Sequence, residues 1–190
     1  KETIPVLEAQ ASMYGFQVTH IAVPHPGNEQ QSQWLQVRQL RPDWVILRGW
    51  GVMNPTALKA AAKIGFPRNK IIAVWWSGAE EDAIPAGDAA KGYFAAGFNL
   101  PGSTMPVMRD IQKHVYGKGK GEFEDKSRIG SIYHTRGVVA GIVTTEAIRT
   151  AQERFGKGKP ITGEQMRWGI ENLNLTPARL KQVGVSDLMA

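Results

Sequence analysis

The chain has 190 residues, of which 42% are hydrophobic and 21% are charged, as is typical of a globular protein with one large domain or two small ones. It has no cysteine, so disulfide frameworks and thiolate zinc sites are excluded, and its apolar runs are far too short to span a bilayer. The net charge is +6, but the basic residues cluster only weakly, in residues 118–120 and 157–159, and no known nucleic-acid-binding motif accompanies them. We therefore expect no nucleic-acid partner.

Helical and strand-like patterns alternate over the first 99 residues, with Gly and Pro between them. The continuous apolar run over residues 43–49 predicts a parallel strand that is buried on both faces. Asn54 and Pro55 predict the start of a helix, with Asn54 as its N-cap. The predicted elements are a helix over 2–14, a strand over 16–23, a helix over 29–40, a strand over 43–49, a helix over 54–64, a strand over 71–76 and a strand over 92–99.

This order of elements predicts parallel βαβ units, in which ligands bind beyond the carboxyl ends of the strands. Gly49 and Trp50 lie at the carboxyl end of one predicted strand, and residues 76–78 lie at the carboxyl end of the next. Because neighbouring side chains of a strand point to opposite faces, we expect Trp75 to pack and Trp76 to face a cleft. The two stretches together are the candidate ligand site.

Helices predominate after residue 100. The patterns predict helices over 105–116 and 133–155, with a glycine-rich exposed stretch between them. Thr162 and Thr176 each stand before a further helical pattern, as N-cap residues do. No strands follow for these helices to cover, so we expect part of the fold to lie outside this chain. Small residues that predict close packing line one side of the long helix: Gly137, Ala140, Gly141 and Thr144.

No pattern predicts catalysis or a bound metal. The four histidines are not at metal-ligand spacing, and neither the GxSxG pattern of hydrolases nor the GxGxxG fingerprint of dinucleotide-binding enzymes occurs. We therefore expect no enzyme activity and no cofactor. The acidic residues 80–82 suit either a helix start or a contact with a cationic group of a ligand. His25 lies between two prolines, and we interpret it as loop structure.

Several stretches resemble type I periplasmic solute-binding proteins of the branched-chain amino acid class, which are the receptors of ABC transporters. They are QVRQLRPDWVILRGWG, PTALKAAAKIGF, IIAVWWSG and YHTRGVVAGIVTTEAIRTAQERFGKGKPITGEQMRWGIENLNL. The last stretch is similar to the family's helix that begins YxxG and to its tGEqvrwgLEnl segment. Together the stretches span most of the chain, and their combination is fairly specific.

The resemblance implies an α/β fold with two lobes that trap the ligand between them. It implies that residues 1–99 are most of a C-terminal lobe with a parallel sheet, and that residues 98–101 cross the hinge. Residues 100–190 are then the helix-rich part of the N-terminal lobe. These helices would cover a sheet from an N-terminal half of the same protein, so we expect this chain to be a C-terminal fragment that lacks that half.

The resemblance also implies where a ligand is bound. Ser77 stands where the amino-acid receptors of the family place a carboxylate for the ammonium group of the ligand. Because an unpaired buried ammonium is costly, we expect a small apolar or aromatic carboxylate in preference to an amino acid, unless Glu80 supplies the missing charge. The candidate ligand-binding residues are Gly49, Trp50, Trp76, Ser77, Gly78 and Glu80.

The function that the resemblance implies is that of an extracytoplasmic receptor of an ABC importer. Such a receptor lies in the periplasm, binds a small-molecule solute and delivers it to a membrane permease. The alternative is a ligand-sensing regulatory domain on the same fold, which controls a partner protein.

Overall fold

The computed structural model describes residues 3–186, and its contacts divide the chain into two compact units. The first unit is Lys1–Ser77 with Glu81–Phe94, and the second is Gly78–Glu80 with Ala95–Ala190. The expected lobes over 1–99 and 100–190 stay a prediction. Among the described residues, none of the helices combines the length and the apolar character that crossing a membrane requires.

A small sheet forms the centre of the first unit. Its strands are β1 (Val45–Leu47), β2 (Ile71–Ala73) and β3 (Phe94–Ala95), in that order across the sheet. β1 and β2 are parallel, with Val45 opposite Ile71 and Leu47 opposite Ala73. The predicted parallel arrangement is therefore confirmed, although each strand is shorter than expected. The helices of this part of the chain are α1 (Ile4–Tyr14), α2 (Gln31–Leu40), α3 (Met53–Lys63) and the short α4 (Glu80–Ala83), whose first residue belongs to the second unit.

One face of this sheet packs on α2 and α3. The core cluster contains Trp34 and Val37 of α2, Leu58 of α3 and Ile71 of β2. The other face is open in the part of the chain that the structure describes, because Ile46 is 53% exposed and its partner in the register, Ile72, is 42% exposed. The prediction that the strand at 43–49 is buried on both faces is therefore wrong for the described residues.

The predicted strand over residues 16–23 does not form. Its alternating pattern favours extended chain, but a strand also needs a hydrogen-bonded neighbour. No described strand pairs with this segment. Ile21 nevertheless packs partly against the core of the first unit.

Helices are the main regular elements of the second unit, and loops connect them. The helices are α5 (Pro106–His114), α6 (Ile132–Phe155), α7 (Gly163–Glu171) and α8 (Pro177–Gln182). The predicted caps are confirmed: the Thr162 hydroxyl accepts from the Gln165 amide in a reciprocal capping box, and the Thr176 hydroxyl accepts from the Arg179 amide. Both caps satisfy amides that the first turn of a helix leaves without a partner.

α6 and α7 pack at backbone distance. A Cβ atom added at Gly169 of α7 would lie 2.3 Å from the carbonyl oxygen of Ala147 in α6. We expected the side of α6 with small residues to pack closely, but this packing is not seen at its two glycines. A Cβ atom built at Gly137 or Gly141 has no neighbouring atom within 4 Å. Close packing of α6 thus occurs at Ala147, nearer its C-terminal end than the four residues that we predicted.

Candidate functional site

Gly49 and Trp50 follow β1 and begin the candidate site. A Cβ atom at Gly49 would lie 2.7 Å from Asn54 Oδ1 and 3.1 Å from the Met53 side chain, so only glycine allows the chain to pass so close to the start of α3. Trp50 comes next and is 53% exposed. The close passage of Gly49 therefore places an exposed indole directly beyond the carboxyl end of β1.

Trp75, Trp76 and Ser77 follow β2 as a short 3-10 turn instead of continuing the strand. The expected alternation of side chains ends at Ala73 for this reason. Trp75 is 38% exposed, whereas Trp76 is half-buried. The expectation that Trp75 packs in the core is therefore wrong, and both rings lie at the surface of the first unit with their centroids 4.6 Å apart.

The tryptophans of the two strand ends contact each other. The rings of Trp50 and Trp76 meet edge to face, with centroids 5.7 Å apart. The His25 ring lies 6.3 Å from Trp50, and the Arg48 guanidinium lies 5.6 Å from the centre of Trp76. The distances are typical of aromatic and cation–π pairs, so the carboxyl edge of the sheet bears an aromatic surface with a positive charge beside it. We call these four residues and Trp75 the tryptophan rim.

Ser77 lies buried beneath the tryptophan rim. Its side chain is fully buried, and its hydroxyl donates to the Gly49 carbonyl oxygen at 3.0 Å. The Tyr93 hydroxyl donates in turn to the Ser77 carbonyl oxygen at 2.5 Å. Burial raises the pKa of Tyr93 to about 12, and the charge of Asp82 contributes to this rise. Ser77 thus joins the ends of β1 and β2.

Asn54 and Asp82 complete the polar contacts beneath the rim, and the sequence did not indicate their role. Asn54 is not the N-cap of α3, which begins at Met53. Its buried amide nitrogen instead donates to the Trp76 carbonyl oxygen at 3.2 Å and to Asp82 Oδ1 at 2.9 Å. These contacts hold the main chain at Trp76, and they join residues that lie 28 positions apart in the sequence.

Gly78 and Glu80 belong to the second unit, apart from the other four candidate residues. The Glu80 carboxylate accepts a hydrogen bond from the Ile132 amide at 2.9 Å. Ile132 is the first residue of α6, and a carboxylate stabilises the positive end of the helix dipole there. Glu80 therefore has a structural partner, and its role as a ligand contact stays a prediction.

The surroundings of the rim add two residues that the sequence analysis did not select. His25 lies in a surface hollow formed by the chain between Pro24 and Leu35, and it contacts Trp50. Arg48 directly precedes Gly49 and follows the apolar strand. This position at the strand end is the signal in the sequence that could have indicated Arg48 as a site residue. No group of His, Asp and Glu side chains that suits a metal ion occurs among residues 3–186.

The fold is similar to that of several solved ABC transporter proteins. An ABC transporter permease from the Pseudomonas fluorescens group is 46% identical over 99% of this chain and 45% of its own, with a TM-score of 0.91. A branched-chain amino acid ABC transporter from Thermus thermophilus with bound valine is 23% identical over 96% of this chain, with a TM-score of 0.73. An ABC transporter substrate-binding protein from Aeropyrum pernix is 16% identical over 98% of this chain, with a TM-score of 0.69. A comparison with curated proteins found no match.

These similarities define the class of fold, which is that of type I periplasmic binding proteins. The family model for periplasmic binding proteins matches residues 1–190, and the chain belongs to this family. The chain spans 45% of the first two solved structures and 46% of the third.

Proposed function

We propose that this chain is part of a solute-binding receptor of an ABC importer, and that its tryptophan rim binds a small apolar or aromatic carboxylate. The observation that carries the proposal is the edge-to-face pair of Trp50 and Trp76 beyond the carboxyl ends of two parallel strands. This edge is where open α/β sheets bind their ligands. Indole rings offer a large apolar surface, which favours a flat apolar ligand.

The charges of the rim support an acidic ligand. Arg48 places a guanidinium 5.6 Å from the Trp76 ring, and guanidinium groups pair well with carboxylates. The Asp82 carboxylate beneath the rim is buried and accepts a hydrogen bond from Asn54, so we do not assign it to the ammonium group that a bound amino acid would bury. The Ser77 hydroxyl donates to Gly49, so we assign Ser77 to holding the wall of the site.

The ligand class is tested by isothermal titration calorimetry of the full-length protein with benzoate and with leucine. We expect benzoate to bind and leucine to bind at least tenfold more weakly. Tight binding of leucine without binding of benzoate would contradict the proposed ligand and leave the receptor function standing. Failure of a broad set of amino acids and carboxylates to bind would contradict both.

The role of the rim is tested by removing its indoles. We expect Trp50→Ala and Trp76→Ala each to weaken ligand binding at least tenfold, because each loses an aromatic contact of about 0.5–1.5 kcal/mol in addition to the contribution of its buried area. Trp44→Ala is the matched control, since Trp44 is similarly exposed at 47% but lies before β1, where Lys70 stacks on it. Equal loss of affinity in the Trp44 variant would speak against a site at the rim.

The proposed receptor acts in the periplasm with a membrane permease as its partner. We infer that an N-terminal half of the same protein supplies the remainder of the ligand site. The chain spans less than half of the solved structures that it matches, and the sheet face with Ile46 and Ile72 is exposed. Measurement of the intact mass of the purified protein tests this inference, which requires a mass about twice the 20.9 kDa of this chain.

A further inference from the structure

The positive charge of the chain is concentrated in one segment. Residues 38–70 contain seven Lys and Arg residues and a single acidic residue, Asp43. This excess of six equals the net charge of the whole chain, so the remainder is neutral overall. A chain with charges mixed evenly over its surface would not show such a segment.

Two of these charges flank an apolar groove at the C-terminal ends of α2 and α3. The groove is lined by Val37, Ile64, Phe66 and Pro67, with Arg38 and Arg41 among its walls. Its volume is about 250 Å³, which is below the roughly 300–1,000 Å³ of a pocket for a drug-sized ligand. It therefore suits a single large apolar side chain, and we call it the basic groove.

Within the part of the chain that the structure describes, the arginines around the basic groove lack acidic partners. Neither Arg38 nor Arg41 forms an ion pair with any residue from 3 to 186, and both are exposed. Arg68, which follows Pro67 in the chain, has a buried Nε atom without a hydrogen-bond acceptor. Cations at the C-terminal end of a helix favour its dipole, which accounts for Arg38 in the last turn of α2. The dipole does not account for Arg68.

Arg41 keeps its side chain at a conformational cost. It has φ 49° and ψ 51°, in the left-handed region, and among the described residues it is the one non-glycine residue with positive φ. Glycine is the usual residue at this position after a helix, because a Cβ atom is unfavourable there. An arginine at such a position indicates that its side chain has a use that offsets the strain.

We propose that the basic groove docks an acidic protein segment that inserts one large apolar side chain between carboxylates. The apolar floor takes the side chain, and Arg38 and Arg41 pair with the carboxylates on either side. Planar guanidinium groups form paired hydrogen bonds with carboxylates, so arginine suits this task better than lysine.

A protein segment fits these features better than an anionic membrane surface. A bilayer presents a broad plane of headgroups and attracts clusters of four to eight basic residues without a concave floor. Here the charges surround a concavity of limited size, and prolines line part of its wall. The docking of an acidic segment is independent of the ligand proposed at the tryptophan rim.

The test uses the full-length protein and a synthetic pentapeptide with a central phenylalanine and two acidic residues on each side. Titration of the ¹⁵N-labelled protein is expected to shift the amide signals of Val37, Ile64 and Phe66. The same peptide with serine in place of phenylalanine is expected to bind at least fivefold more weakly. Shifts confined to other parts of the molecule, or equal affinity for both peptides, would overturn the proposal.

Substitutions separate binding from folding. Arg41→Gly relieves the strained backbone, so we expect an unchanged or higher Tm together with an approximately threefold weaker peptide affinity. Arg38→Gln with Arg41→Gly is expected to weaken binding at least fivefold. The control Arg154→Gln with Lys157→Gln changes the net charge equally at exposed sites of the second unit, and we expect less than a twofold effect.

Two further outcomes would count against the proposal. One is equal weakening by the control pair, which would indicate attraction by net charge alone. The other is binding to phosphatidylglycerol vesicles that depends on Arg38 and Arg41 while the peptide does not bind. That result would assign the basic groove to a membrane surface.

Discussion

The contacts that stabilise the interior of the first unit differ in kind from those that stabilise the interior of the second unit. In the first unit, buried polar side chains bond to main-chain carbonyls at the strand ends, as Ser77 does to Gly49 and Asn54 does to Trp76. In the second unit, α7 approaches α6 at backbone distance through Gly169. There the buried carboxylate of Glu146 also accepts two hydrogen bonds from Arg179 of α8, at 2.6 and 2.7 Å.

The contacts of the first unit mainly position surface residues, whereas those of the second unit mainly stabilise the packing of helices. Contacts of the first kind act on short stretches of main chain that carry exposed tryptophans, so their loss changes the shape of a surface. Contacts of the second kind join whole helices, so their loss weakens the packing of a unit. Arg179 accordingly lowers the pKa of Glu146, with help from Arg149. The stability that this carboxylate contributes is present above its usual pKa of 4.5 and is lost as the pH falls below that value.

The largest effect is expected at the contact between α6 and α7. A Cβ atom in Gly169→Ala would lie 2.3 Å from a main-chain oxygen that cannot rotate away, so the helices must separate. We expect the free energy of unfolding to fall by about 3 kcal/mol, at the upper end for overpacking. Chemical denaturation followed by circular dichroism measures this change.

Gly163→Ala is the matched control for this substitution. Gly163 lies in the same helix, and no atom lies within 4 Å of its added Cβ. Alanine is the better helix former, so this variant is expected to be equally or more stable by up to about 1 kcal/mol. A similar loss of stability in both variants would show that the packing at Ala147 is not the cause.

Ser77→Ala is expected to lower the stability less than Gly169→Ala does, but to change the arrangement of the tryptophan rim more. The substitution leaves the buried Gly49 carbonyl without its hydrogen-bond donor, which costs about 1–3 kcal/mol. The side-chain link from Ser77 to Gly49 at the end of β1 is also lost, so the coupled near-ultraviolet circular dichroism of Trp50 and Trp76 should change. Ser32→Ala removes an exposed hydroxyl and should change neither measurement. An unchanged tryptophan signal in Ser77→Ala would contradict the positioning role.

The sequence predicts those features of the two units that depend on neighbouring residues or on the order of the strands. A few neighbouring residues predict Thr162 and Thr176 as N-caps, and a cap depends on little else. The juxtaposition of Trp50 and Trp76 followed from the order of the parallel strands, which sets where the carboxyl ends meet.

Contacts between distant residues explain what the sequence does not predict. The bond between Asn54 and Asp82 spans 28 positions, and Asn54 before Pro55 has the local pattern of an N-cap. Residues 16–23 alternate as a strand does, but no described strand pairs with them. Gly169 lies in a segment that resembles a family motif, but that motif does not indicate that Gly169 meets Ala147 of α6, 22 positions earlier in the chain.

The smallest expected effect concerns Tyr93, whose hydroxyl supports Ser77. An unfolded tyrosine has a pKa near 10, and burial raises that of Tyr93 to about 12 in the folded protein. Its contribution to stability is therefore complete below pH 10 and is lost as the pH rises to 12.

The resulting loss is about 1 kcal/mol, less than the full difference in pKa gives, because solvent screens a partly exposed group. Tyr93→Phe has no ionising hydroxyl, so its free energy of unfolding should fall less steeply between these pH values than that of the unsubstituted protein. Tyr14→Phe serves as the control, since Tyr14 is 72% exposed, and its profile should follow the unsubstituted protein. Parallel alkaline profiles for all three proteins would show that Tyr93 ionises as an exposed tyrosine does, and that the first unit is not held at this point by a buried neutral hydroxyl.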